Sequence, residues 1–154
     1  MLTLLLALLV TLPAQDPHQT MNDRGAMVMG FDQDKTAHHF LLFDDGGAID
    51  IGVKGPKDTK NRDAIRAHLP HIAMMFGGGD FNAPMLVHDT KDVPGIKTLM
   101  ARKDTITYRY RETPRGGRVE IVTTDHGALD ALHAFLKYQI AEHHTGDPGT
   151  IAKR

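Results

Sequence analysis

In the segment DAIRAHLPHIAMMF, His68 and His71 stand three residues apart and Met75 follows four residues later. Positions i, i+3 and i+7 share one face of a helix, so two imidazoles and a thioether can converge on one ion. Imidazole suits copper, zinc, iron and nickel, and a thioether shifts the preference toward Cu(I). His38 and His39 would complete such a site. Adjacent strand residues point to opposite faces, so only one of the two can meet the helix. The alternation places His38 toward the helices and His39 away, and a one-residue slip would exchange them. On a second helix, His133 lies beside the core stripe. The candidate ligands are therefore His68, His71, His38, Met75, His39 and His133, with copper favoured and zinc or iron as alternatives. Each also has a plainer reading. Two histidines at helical spacing often just flank a core stripe and satisfy hydrogen bonds, and a tandem pair on an edge strand can simply be solvated.

The remaining histidines are read without metal. His143 and His144 fall in the last turn of the second helix, where a partly positive imidazole complements the helix C-terminus. His88 and His126 lie in loops, and His18 precedes the main domain. Met27-x-Met29 has the methionine spacing of exported copper-handling proteins, although methionine also serves as adaptable core filling. Other chemistries find no support. Gly77-Gly78-Gly79-Asp80 lacks the Lys-Ser/Thr of a phosphate loop and follows a helix instead of opening one. There is no G-x-S-x-G and no H-E-x-x-H, and no nucleophile stands beside the Asp125-His126 or His88-Asp89 neighbours.

These side chains need a scaffold, and composition limits it. Eighteen Lys and Arg against nineteen Asp and Glu give a formal net charge of −1, so no basic excess points to nucleic acid. Residues 2–12 read LTLLLALLVTL, an uncharged apolar run that spans about 16 Å as a helix, too short to cross a bilayer. Followed by Pro13 and Ala14, it reads as a secretory signal peptide over 1–14, with no lasting membrane anchor after cleavage. The mature domain of about 140 residues has no cysteine, hence no disulfide and no thiolate ligand. In an oxidising periplasmic or extracellular setting, histidine and methionine are the soft and borderline ligands left to it.

Two similar units organise the chain, at 38–76 and 105–144 within a main domain over 31–148. Each reads strand, Gly-Gly turn, strand, helix. Gly46-Gly47 matches Gly116-Gly117, Ile49 and Ile51 match Val119 and Ile121, and Asp63-Ala64-Ile65 matches Asp130-Ala131-Leu132. Pairing Glu112 with Gly117 puts Tyr108, Tyr110, Val119 and Ile121 on one face, and pairing Phe43 with Ala48 puts Phe40 and Leu42 beside Ile49 and Ile51. The first helix starts at Asp58 or Thr59 and buries Ile65, Leu69, Ile72 and Phe76, with a kink or early break expected at Pro70. The second runs over about 127–144 and turns Leu129, Leu132, Leu136 and Ile140 inward, and a short connecting helix falls at 95–102. Residues 15–30 read as a loose polar arm and 149–154 as a tail. The expected fold is α+β: a four-stranded antiparallel sheet with two helices on one face.

The runs Met29-Gly-Phe-Asp-Gln, Thr36-x-His-His-Phe40, Ile65-Arg-x-His-Leu-x-His-Ile72 and Gly79-Asp-Phe-x-x-Pro84 are together similar to a group of small exported bacterial proteins. That resemblance implies a leader and a compact domain, and it carries over no activity and no functional residue. The functional expectation is reversible metal ligation by neutral imidazoles, weakening as protons compete below about pH 6.5. A metal-free module for a small ligand or protein partner is the alternative. A metal-dependent enzyme with an open coordination position would look the same in sequence.

Overall fold

Asp44 and Asp45 reverse the chain between β1 (Thr36–Phe43) and β2 (Gly46–Val53), and Pro114 and Arg115 do the same between β3 (Ile106–Thr113) and β4 (Gly116–Thr123). The computed structural model describes residues 16–154. The apolar run at 2–12 and the proposed cleavage after Ala14 lie outside the described residues. No helix among the described residues is long and apolar enough to cross a membrane.

The four strands form one antiparallel sheet in the order β1-β2-β4-β3. In the second hairpin Glu112 pairs with Gly117, as the alternation predicts. In the first, Phe43 pairs with Gly46 and not with Ala48. That two-residue shift shortens the turn and leaves every side chain on its predicted face, because the side-chain period is also two. Gly46 and Gly47 are therefore strand residues, and packing is the reason for glycine here. A Cβ on Gly47 would stand 2.4 Å from Leu136 Cδ1 and 2.7 Å from the Leu41 carbonyl oxygen. Gly47→Ala should accordingly lower the denaturant midpoint by the equivalent of on the order of 3 kcal/mol with an unchanged m value.

The two units cross. β2 pairs with β4 around Ile49 opposite Val119, and the flanking pairs Gly47 with Ile121 and Ile51 with Gly117 repeat about that centre. Helix α2 (Thr59–Gly77), which follows the first hairpin, rests chiefly on β3 and β4, while α5 (His126–Glu142), which follows the second, rests on β1 and β2. Both helices start alike: the Asp58 carboxylate accepts from Asn61 N–H and the Asp125 carboxylate from Ala128 N–H. Helix α2 runs through Pro70 without the expected break. Burial of Ile65, Leu69, Ile72 and Phe76 outweighs the lost backbone bond, since each large apolar side chain contributes about 1.5–3 kcal/mol.

Three shorter helices complete the layer. Residues expected as a loose arm form α1 (Pro17–Met29), with Asp16 as its N-cap and proline at its first position. Helices α3 (Asn82–Val87) and α4 (Ile96–Ala101) lie in the connection, and α4 lies within the short helix expected at 95–102. The C-terminal tail is tied down. Ala152 N–H donates to the Leu42 carbonyl and its own carbonyl accepts from Asp44 N–H, both at 3.0 Å, so the tail covers the end of edge strand β1.

Candidate functional site

One pseudosymmetric half is filled and the other is hollow. With N-caps Asp58 and Asp125 superposed, Ile72 and Phe76 of α2 occupy the positions of Gln139 and His143 of α5. In the paired sheet, Tyr108 holds the place that His38 holds in the first unit. Phe76, Phe81 and Phe135 pack ring against ring on the filled side, with centroids 4.4–6.2 Å apart. Beside this cluster, and bordered by Phe76 and Phe135, lies a cavity of about 60 Å³ between the sheet, α2, α3 and α5. Its walls are mostly apolar, with His38, His68, His88, His143 and Gln139 as the polar exceptions and Met29 contributing a thioether.

Five elements supply those side chains, with Gln139 and His143 both coming from α5. His38 enters from the start of β1 on the helix-facing side, and His68 from the middle of α2. His88 follows α3, His143 is the C-cap of α5, and Met29 is the last residue of α1. The rings of His38 and His143 stack at 5.4 Å, and His88 meets His143 edge-on at 5.1 Å. Phe31 lies about equally far from His38 and His68, at 6.1 and 6.0 Å.

Burial keeps these imidazoles neutral. Desolvation pushes His38 down to about 4 and His143 to about 3, with the neighbouring histidines adding to the shift. Desolvation also lowers His68 and His88 below the ordinary histidine range, although the hydrogen bond with Gln139 works against the shift at His88. The expectation that a positively charged His143 serves the helix C-terminus is therefore corrected: its ring is turned into the cavity and uncharged. His88, expected as an ordinary loop residue, is a second addition to the site.

The nitrogens are unusually bare. His38 Nε2, His68 Nε2 and His88 Nδ1 are buried without a hydrogen-bond partner, as is the amide nitrogen of Gln139. His88 Nε2 stands 3.0 Å from Gln139 Oε1, an acceptor, so Nε2 carries the proton and Nδ1 keeps its lone pair. An unpaired buried polar group costs about 1–3 kcal/mol. Stability alone would favour filling this half as the other half is filled. Among the described residues, no three His, Asp or Glu side chains already stand together at metal-ligand spacing. Rotation of one or more rings would have to precede three-fold ligation.

Of the six ligands read from the sequence, the fold brings His38 and His68 to this cavity and leaves four elsewhere. His71 is exposed on α2, and Met75 packs partly buried against the core. His39 points to the opposite sheet face, where its Nδ1 donates to Asp147 Oδ1 at 2.8 Å. His133 is 7% exposed, and its Nε2 lies 2.9 and 3.0 Å from the carbonyls of Phe43 and Gly46. Both partners are acceptors, so that nitrogen is a donor clasping the first hairpin. His133→Ala should lower stability by roughly 1–3 kcal/mol in a urea titration, because the bond is lost and buried carbonyls are left unpaired.

A signal for His143 was present in the sequence, whereas none marked His88 in the connection. His143 continues the α5 face of Leu132, Leu136 and Gln139 at helical spacing, so two polar residues interrupt a stripe that stays apolar in the first unit. Comparison of the chain with protein-family models, curated proteins and solved structures gave no match.

Proposed function

We propose that this domain is an exported binding protein for a transition metal ion, copper foremost, held in the histidine-lined cavity. The observation that carries the reading is the set of three buried imidazole nitrogens without partners around one small hollow. Neutral imidazoles bind metal without first releasing a proton, and burial holds these four neutral. Met29 adds a thioether to the lining, and a mixed imidazole–thioether set favours Cu(I) over Zn(II). Gln139 would orient His88 by holding its other nitrogen, the usual support for a metal-binding imidazole.

Size supports the ion over an organic cofactor. Pockets for drug-sized ligands enclose about 300–1,000 Å³, far more than the cavity's 60 Å³. The apolar lining does favour a second reading, a neutral ligand of a few atoms hydrogen-bonded to the histidines. The apolar run at 2–12 supports export, and the absence of cysteine suits an oxidising compartment.

The test is a Cu(I) titration of the domain against a chromophoric chelator, with Zn(II) in parallel, on the parent protein and on His38→Ala/His88→Ala. Sub-micromolar Cu(I) binding, weakened at least 100-fold in the double variant, is the expected result. Binding no tighter than micromolar, or equal in both proteins, would overturn the reading. A small molecule retained in native mass spectra of metal-free protein would favour the second.

A further inference from the structure

Outside the cavity lies a second cleft that shares two of its walls. This cleft, of about 250 Å³, is lined by His38 and His143, whose stacked rings divide it from the cavity, and by His18, His39 and His144. The rings of His18 and His144 stack at 4.9 Å with only 13° between their planes, so one ring has to turn before both can bond one ion, and His144 is exposed enough to do so. His18 comes from the first turn of α1 and His144 from the turn behind α5, so two distant elements are brought together there.

His144 has φ 49°, the left-handed conformation that glycine adopts most readily. Gly79 occupies the corresponding position two residues behind α2, with φ 81°, and Asp89 the one behind α3, with φ 50°. Among the described residues no hydrogen bond engages either the His18 or the His144 ring, so no protein partner occupies their nitrogens. Lys54, the cation in the same cleft, donates its ammonium to the Asp34 carbonyl at 2.9 Å.

We propose that His18 and His144 form an outer, solvent-facing site that captures a transition metal ion and hands it inward across the His38–His143 partition. The inference rests on the cavity being the metal's destination. The transfer is ligand exchange: an imidazole of the partition bonds to the ion as an outer imidazole leaves, and the ion keeps its charge. Six of the ten histidines then lie along one route, from His18 and His144 through His143 and His38 to His88 and His68.

Stopped-flow loading with Cu(I) delivered from a weak chromophoric chelator tests this, together with equilibrium stoichiometry. The parent protein should bind two ions, one tightly and one weakly. His18→Ala/His144→Ala should lose the weak ion, keep the tight affinity within about threefold, and load at least tenfold more slowly. Circular dichroism and thermal melts check that the variant stays folded, and His144→Gly alone, which relieves the backbone, should also slow loading. A single ion in the parent protein that loads at the same rate in the double variant would overturn the outer site and leave the cavity reading intact. Loss of all binding in His18→Ala/His144→Ala, with none lost in His38→Ala/His88→Ala, would instead overturn the transfer route by placing the only site outside.

Discussion

Acidifying the metal-free protein from pH 7 to pH 4.5 is expected to remove a large part of its stability. The sign follows from the depressed values in the fold. Unfolded histidines titrate near 6.5, whereas His38 is held at about 4 and His143 at about 3, with His68 and His88 also lowered. Between those limits the unfolded chain binds more protons, so stability is full above about pH 6.5 and falls as pH drops toward 4. Each unit of difference is worth about 1.36 kcal/mol, and several groups act together, so a loss on the order of 5 kcal/mol is expected. Domains of this size carry about 5–15 kcal/mol in all. The carboxylates held low, Asp32, Asp58 and Asp125, start from an ordinary value of 3.8 and contribute only below this window. Urea midpoints at half-unit pH intervals would show the slope, and a flat profile from 7 to 4.5 would show that these imidazoles are not buried neutral.

His38→Phe should separate folding from binding more sharply than any truncation. The pseudosymmetric half already carries an aromatic ring, Tyr108, at this position, so the replacement has a precedent in the same sheet. Losing one unpaired buried nitrogen should stabilise the metal-free protein by about 1–3 kcal/mol and flatten its acid profile. Copper at a thousand times its dissociation constant would stabilise the parent protein by about 4 kcal/mol, and the variant should gain little or none of this. Thermal melts with and without Cu(I) therefore ought to reverse the order of the two proteins. The variant would be the more stable when empty and the less stable when copper is present.

Much of the scaffold could be read from local chemistry. Asp58 before an apolar stripe marked the start of α2, and alternation put the hairpin side chains on their proper faces even where the first register was displaced by two. Helix α1 was missed because its residues are mostly polar and include Gly25, yet Asp16-Pro17 is a capping pair that announces it. The glycines of the hairpins suggested turns. Gly47 and Gly117 let helix side chains approach the sheet, and Gly46 and Gly116 lie close against the backbone of the neighbouring strand. Those roles depend on chain tens of residues away. The site divides the same way. His38 and His68 followed from strand and helix periodicity, whereas His88 and His143 needed the three-dimensional neighbourhood to show which way their rings face.

The exchange of helices between the two hairpins also bears on how the chain must fold. Helix α2 finds most of its sheet partners only after β3 and β4 have been made, some 40 residues later, so much of its apolar face waits exposed. Few contacts reward an early half, and loop closure precedes most of the gain. Folding should therefore be slow for a chain of this length and effectively all-or-none. A fragment ending before β3 should either stay unfolded or pair with a second copy of itself, each lending its helix to the other's hairpin.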